Sequence, residues 1–517
     1  MIAAMTAISL TACAQRNAKI NSALQKLYMT QMAVTELYVD TVNADKLAED
    51  GIRGMLKELD PHSSYTTAKE TKSLTEPLEG SFEGVGIQFN ISQDTLLVIQ
   101  TVANGPSEKV GILAGDRIVK VDTAVIAGVK MGRDEIMRRL RGKKGSVVNL
   151  GVVRRGISDT LTFAVTRDKI PLKTVDASYM IRPNTGYIKI GSFGANTYQE
   201  FMACVDSLKR HGMQDLIIDL QENGGGYLQS AVRIANEFLQ KNDLIVYTEG
   251  RTNPRQEFRA DGKGRLLDGK VMVLVNEYSA SAAEILSGAI QDQDRGQIIG
   301  RRSFGKGLVQ RPIEYPDGSM LRITVAHYYT PSGRCIQKPY EKGAQKDYEQ
   351  DIENRFKHGE LYSRDSIHFA DSLKFQTLRL HKTVYGGGGI MPDFFVPLDT
   401  TQYTAYHRQL AAKGIIIQQT LRYVDQNRKK LHKLYKTFDK FESEFIVPDE
   451  LLQAVYSEGE KEKVKLKDEE ERRSSEHMIK AQLKALIARD VWDMSEYYKI
   501  MNEESHVVKK AVELLSK

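Results

Sequence analysis

Five consecutive apolar residues, Val271–Val275, run straight into the small-residue turn Tyr278-Ser279-Ala280-Ser281 and then into a helical pattern that ends near Asp292. A strand apolar on both faces and followed at once by a helix belongs in a parallel sheet covered by helices. The same order recurs upstream. Gly186–Ile190 reads as a strand, Tyr198–Arg210 as a helix, Asp215–Leu220 as a strand, Gln229–Leu239 as a helix, and Arg322–Tyr329 as a further strand. Residues 168–400 therefore predict an α/β core with a mostly parallel sheet. Ligands of such sheets lie beyond the carboxyl ends of the strands. Two turns occupy equivalent places there: Gln221-Glu222-Asn223-Gly224-Gly225-Gly226, and the turn carrying Ser279 and Ser281. Either serine would stand where a strand passes into a helix, beside the free amides of the helix N-terminus. Further on, Gly305 and Gly307 flank Lys306 and let the backbone come close to a neighbour. Gln310 faces the same way as Lys306 if that segment is locally helical. A serine and a lysine are thus candidates for a catalytic pair, with the glycine turn offering amides to an oxyanion. Taken alone, the triple glycine would be only a tight turn.

With 517 residues, 41% hydrophobic and 27% charged, the chain is long enough for several cores. Its net charge of +6, from 73 basic and 67 acidic residues, argues against nucleic acid as a partner. The three cysteines, Cys13, Cys204 and Cys335, are too few for a disulfide framework or a structural zinc site, and no metal is expected. Cys13 closes Leu10-Thr11-Ala12-Cys13 after the apolar run Ile2–Leu10, a pattern that resembles a lipobox. Residues 1–16 are therefore expected to be an export signal, giving a periplasmic protein anchored to the membrane through lipidated Cys13. Cleavage after Ala14, in Ala12-Cys13-Ala14, is the alternative and would give a soluble product. A basic segment ahead of the apolar run is missing. No other stretch is long and apolar enough to span a bilayer.

Residues 17–78 read as an N-terminal helical region. Leu24, Tyr28 and Met32 form one ladder at helical spacing and Val34, Tyr38 and Val42 another. A second helix, Leu47–Leu59, is stopped by Pro61. His62 in that turn reads as a structural hydrogen-bonding residue rather than a base. Residues 79–167 change to short β-patterned runs separated by glycines. Within them, Gly84-Val85-Gly86-Ile87 and GPSEKVGILAGDRIVKVD resemble a PDZ domain. In that reading, backbone amides of residues 84–87 converge on a chain-terminal carboxylate, and the strand that follows pairs with the peptide. Arg138, Arg139, Arg141, Lys143 and Lys144 read as a solvated helix face. A polar insertion occupies about 338–382, and residues 401–517 are glycine-poor and helical, with a charged run from Glu458 to Arg473.

Taken in order, GMLKELDPHSSY, the PDZ-like stretches, DLQENGGG, VNEYSASAAEILSGAIQD, SFGKGLVQ, YYTPSGRCIQ and GGGGIMPD give the chain its resemblance to the C-terminal processing peptidases, or tail-specific proteases. The resemblance covers about Leu47 to Pro397. It implies a ClpP/crotonase-like α/β core with an inserted PDZ module, and a serine endopeptidase that uses no cofactor. It makes Ser281 the nucleophile rather than Ser279, which becomes a supporting hydroxyl. Lys306 is the general base, Gln310 positions it, and Ala282 with Gly225 or Gly226 holds the oxyanion. A lysine serves as a base only when neutral, which requires an environment that lowers its pKa from about 10.4. Two positions depart from the family pattern: Gln221, where arginine is common, and Ala283, where serine is common. The resemblance further implies unfolded or tagged proteins as partners, bound by their C-termini, with an adaptor or activator and a homodimer through the terminal helices as further possibilities. Two rival readings are a catalytically silent peptide-binding scaffold or chaperone, and an acyl-CoA enzyme on the crotonase core. Intact Ser281, Lys306 and Gln310 speak against the first, and the PDZ-like motifs against the second.

Overall fold

The computed structural model describes residues 21–92, 94–343 and 345–517, so Cys13 and the expected signal segment 1–16 lie outside the described residues. The chain divides into two compact units. The smaller contains residues 21–71, Gln310–Val325 and Tyr340–Asp351; the larger contains Lys72–Val309, Ala326–Pro339 and Ile352–Lys517.

In the smaller unit, residues 21–37 are helical and Ala44–Lys57 forms a second helix, capped by Asn43. Within the region expected to be helical, Ser64–Thr66 is instead a short strand that pairs antiparallel with Met320–Arg322. The Asp60-Pro61-His62-Ser63 turn is built by Asp60, which accepts from the amides of His62 and Ser63 at 2.9 and 3.0 Å and from the Thr324 hydroxyl at 2.9 Å. His62 Nε2 lies 2.8 Å from the Tyr348 hydroxyl, in keeping with a structural histidine.

The larger unit contains the central sheet, ordered Val175–Arg182, Thr185–Ile190, Asp215–Asp219, Val271–Val275, Gln297–Gly300, Phe394–Phe395. Its first pair is antiparallel and the rest are parallel. Helices Thr197–Arg210, Leu228–Asn236 and Ala282–Asp292 cover one face, burying Phe201, Ile234 and Leu286 against Ile188, Ile218 and Val273. The opposite face, with Tyr187, Ile217, Met272 and Leu274, is covered by Val507, Val508, Ala511 and Leu515 of the chain's last helix, His506–Leu515. That helix thus belongs to the α/β core, whereas residues 406–501 build a separate helical core around Leu410, Phe441, Val455 and Leu486.

The β-module is closed at its base, where Ser81–Gly84 pairs antiparallel with Asp168–Pro171. Its main sheet begins at the edge strand Ile87–Ser92, which pairs with Thr95–Thr101. Contrary to the expectation of a solvated helix face, one member of the basic run is tied into the fold. Arg141, at the C-cap of the helix Arg133–Leu140, pairs with the buried carboxylate of Glu76 and lies over the Phe82 ring.

Candidate active site

The two turns expected at the sheet's carboxyl edge are bonded to each other. Asn276, one residue past its strand, accepts from the Glu222 amide at 3.0 Å and donates its Nδ2 to Glu222 Oε1 at 2.6 Å. The Ala280 amide donates to the Asn223 carbonyl at 2.9 Å. Ser279 is fully buried; its hydroxyl donates to the Leu220 carbonyl at 2.7 Å and accepts from the Asn276 amide at 2.9 Å. It pins one turn to the other and has no access to a substrate.

Ser281 stands differently. It is partly exposed, at the N-cap of Ala282–Asp292, with φ 56° and ψ −112°. A positive φ at a non-glycine residue is strained and persists only where the surroundings enforce it. The enforcing group is Glu284, fully buried in the first turn of the helix, whose Oε2 accepts from the Ser281 amide at 2.8 Å. Reach-back of a carboxylate from the third helical position to the N-cap amide is half of a capping box.

The same carboxylate fixes the lysine loop. Oε2 also accepts from the Lys306 amide at 2.9 Å, while Oε1 accepts from the Gly305 amide at 2.7 Å and the Ser303 hydroxyl at 2.5 Å. Burial pushes the Glu284 carboxyl above its usual range, and these four donors oppose that shift. On the other side of the two residues, the buried Tyr328 hydroxyl lies 3.2 Å from the Ser281 carbonyl and donates to that of Lys306. Ser281 and Lys306 are thus tied through both their amides and their carbonyls.

The glycines flanking Lys306 allow the close approach inferred from sequence. Gly305, at φ +89°, would place a Cβ 3.0 Å from the Gly389 nitrogen, and Gly307 one 2.8 Å from the Gln337 nitrogen. The motifs around the site are its scaffold. Asp292 ends the serine's helix and forms a fully buried ion pair with Arg334 of TPSGR at 2.6 Å. The Ser303 hydroxyl accepts from the Ile390 amide of GGGGI at 2.6 Å. From the polar insertion, buried Arg355 donates to the carbonyls of Ser303 and Phe304 at 2.8 and 3.0 Å.

Two expectations change. Leu308–Glu314 is a strand, not a local helix, and Gln310 belongs to the smaller unit, where its side-chain amide donates to the His62 carbonyl. The Gly225 amide, one of two offered for the oxyanion, already donates to Asn223 Oδ1 at 2.8 Å. Gly225 instead supplies room: at φ +100°, its Cβ would fall 2.7 Å from Ser281 Cβ and 3.0 Å from the Ala282 nitrogen. Gly226 meets Phe193 in a parallel bridge, and Ala282 heads the helix. Glu284, Tyr328, Asn276 and Arg355 went unnoticed in the sequence. Only Glu284 carried a signal there, the Ser-x-x-Glu capping spacing.

In the β-module, Val85, Gly86 and Ile87 line the mouth of a groove of about 260 Å³ between the edge strand Ile87–Ser92 and the helix Arg133–Leu140, and Gly84 precedes them at the end of the strand Ser81–Gly84. Val85 is buried in the module's core, and its carbonyl accepts from Ser107; Gly86 has φ +75°. The groove's apolar lining and the outer edge of its strand, which pairs with no further strand among the described residues, suit an extended peptide added as a further strand. Among the described residues, no group of side chains is arranged to hold a metal ion, and no helix is long and apolar enough to cross a membrane.

Residues 184–350 match peptidase family S41, residues 84–167 the PDZ domain, and residues 3–71 the activating protease CtpB N-terminal domain. Residues 406–493 match a family of unknown function. The chain is 34% identical over 333 residues to the carboxy-terminal processing protease CtpA of Bacillus subtilis, covering 63% of this chain and 70% of that protein. It is 37% identical over 306 residues to the carboxy-terminal-processing protease of Bartonella bacilliformis, covering 58% and 69%. Among solved structures, the photosystem II D1 C-terminal processing protease matches with 29% identity and a TM-score of 0.34, covering 60% of this chain and 83% of that one. With its S41 core, PDZ domain and these relatives, the chain belongs to the carboxy-terminal processing proteases, a family of serine peptidases.

Proposed function

We propose that this protease cleaves proteins near their C-termini with Ser281 as nucleophile and Lys306 as general base, after the PDZ groove has captured the tail. The observation that carries the proposal is the Glu284 carboxylate, which accepts from the amides of both residues and holds Ser281 at its positive φ. In the first step the neutral Lys306 amine takes the proton of Ser281 Oγ as that oxygen bonds to the scissile carbonyl carbon. The carbonyl electron pair moves onto oxygen, and the Ala282 amide with that of Gly226 stabilises it; losing one such donor costs about 3 kcal/mol. Collapse breaks the C–N bond, and the Lys306 ammonium returns its proton to the leaving amine. Water then resolves the ester on Ser281. For Gln310 as the residue that positions the lysine, the support is its place in SFGKGLVQ.

Substrates in this reading are unfolded or tagged proteins with apolar last residues. The match of residues 3–71 to an activating protease's N-terminal domain supports an activated or activating partner for this end of the chain. Exposed apolar side chains at Leu24, Tyr28 and Met32 support a second copy as another partner. Export and lipidation of Cys13 rest on the lipobox-like sequence, and the mass of the mature N-terminus tests them.

The test of the chemistry is incubation of the chain and of Ser281→Ala with an unstructured protein, followed by mass mapping of the fragments. Cleavage by the parent alone, dependent on a free substrate C-terminus, supports the proposal. Equal fragmentation by both removes Ser281 from its role.

A further inference from the structure

The groove in the β-module has one charged feature that its apolar lining does not explain. Its helix side is formed by Arg133, Met137, Leu140 and Arg141, residues that recur at helical spacing and share one face of Arg133–Leu140 and its cap. Leu140 lies at the mouth, where its carbonyl is 3.6 Å from the position a Cβ on Gly84 would take. Arg133 lies at the far end, its guanidinium carbon 5.1 Å from the centre of the Phe89 ring. The two arginines differ in how they are held. Arg141 is paired with Glu76, whereas Arg133 is exposed and has no carboxylate partner among the described residues. Glu135, two residues on, is engaged by Arg138 and Arg139. Asp134 is exposed and about 100° further round the helix, away from the groove.

A peptide whose terminal carboxylate sits at residues 84–87 must run antiparallel to Ile87–Ser92, because that strand starts at the mouth. Its last side chain then lies beside Ile87 and Leu140. Side chains of an extended chain alternate between faces, so the third residue from the end points the same way, about 7 Å deeper. Phe89 is two residues along the edge strand from Ile87, the same displacement, and Arg133 stands over it.

We propose that Arg133 selects an acidic side chain at the third position from the substrate's C-terminus, so that the tail this protease accepts has an apolar last residue and an Asp or Glu two residues before it. The inference rests on the reading of the groove as the tail-binding site. An ion pair at an exposed site contributes modestly, and the preference over lysine at that position is expected to be about three- to tenfold in affinity at low salt, shrinking as salt rises.

The test uses the full chain carrying Ser281→Ala, so that bound peptides stay intact, and fluorescent peptides that share an apolar last residue and carry Glu, Gln or Lys third from the end. Each is also made with an amidated C-terminus. The expected order is Glu over Gln over Lys, reversed or flattened in Arg133→Glu, with amidation weakening every peptide. Equal affinity for Glu and Lys peptides that still require the free carboxylate overturns the role of Arg133 and leaves the groove reading standing. Binding indifferent to amidation, or no binding of any peptide, overturns both. Arg133→Gln, which removes the charge and keeps a polar side chain at that position, should abolish the Glu preference while leaving affinity for the Gln peptide within about twofold; a retained preference in that variant also overturns the proposal.

Discussion

Ser281 and Lys306 donate their main-chain N–H groups to the same atom, Glu284 Oε2, at 2.8 and 2.9 Å. One buried oxygen thereby sets the distance between two chain segments whose side chains have to exchange a proton. Glu284→Gln preserves the volume but replaces one acceptor oxygen with an NH2, which cannot accept from the amides and hydroxyl that now surround the carboxylate. The variant should lose kcat by roughly ten- to a hundredfold, as small misplacements of reacting groups do, with KM within about threefold. Steady-state cleavage of a tailed peptide reads this. An unchanged kcat would mean that the carboxylate only stabilises the fold.

The two serines of the turn give opposite expected phenotypes. Ser281→Ala removes a partly exposed hydroxyl and should abolish cleavage with little change in melting temperature. Ser279→Ala removes a buried hydroxyl and strands the Asn276 amide that it serves, while the Leu220 carbonyl keeps the Asn223 amide, at a cost of about 1–3 kcal/mol. Its activity at low temperature should persist. Thermal melts alongside cleavage rates separate the two, and a stable but inactive Ser279→Ala would exchange their roles.

Arg355 brings the polar insertion to bear on the site, since its guanidinium holds the carbonyls of Ser303 and Phe304 just ahead of Lys306. Lysine keeps the charge but cannot reproduce the fork. Arg355→Lys should therefore lower kcat by about tenfold or more at constant KM and move the pH dependence of kcat, because the loop that presents the Lys306 amine is loosened. A fall in melting temperature with kcat and its pH profile intact would make Arg355 a structural residue only.

Most of the core was legible because its strands are apolar on both faces and its helices follow at once: Val271–Val275 begins and ends where the pattern places it, and Thr185–Ile190 and Asp215–Asp219 differ from it by one residue each. Local pattern offered Ser281 only as one of two serines, and the family resemblance was needed to choose it; their physical difference lies in burial and in a backbone φ, neither of which is written in Ser-Ala-Ser. Arg355 and Tyr328 were not legible, since each reaches the site from a distant segment and has no local pattern. The helical reading at Gln310 failed for a related reason. Four-residue spacing from Lys306 suggested a helical face, but Leu308–Glu314 takes its conformation from pairing with Met320–Tyr329. The last helix was read with its neighbours as one helical region, yet its apolar face is matched to the underside of the sheet, a long-range fit that composition does not reveal.

His407 makes the helical core of residues 406–501 sensitive to acid. It is 4% exposed, its Nε2 lies 2.8 Å from Gln482 Oε1, and its Nδ1 has no hydrogen-bond partner among the described residues. Burial, with a smaller contribution from Arg408, holds its pKa below the ordinary 6.5. The folded chain therefore resists a proton that the unfolded chain accepts. Stability from this residue is complete above 6.5, declines as pH falls from there toward the folded-state pKa, and levels off below it. The slope is at most about 1.4 kcal/mol per pH unit. Trp492, the chain's one tryptophan, packs on Phe438 and Phe441 in the same core and reports on it by fluorescence. Melts followed at Trp492 should lose stability below pH 6.5 more steeply in the parent than in His407→Gln, whose amide does not titrate. Parallel pH profiles for the two proteins would show that another group controls the acid response of this region.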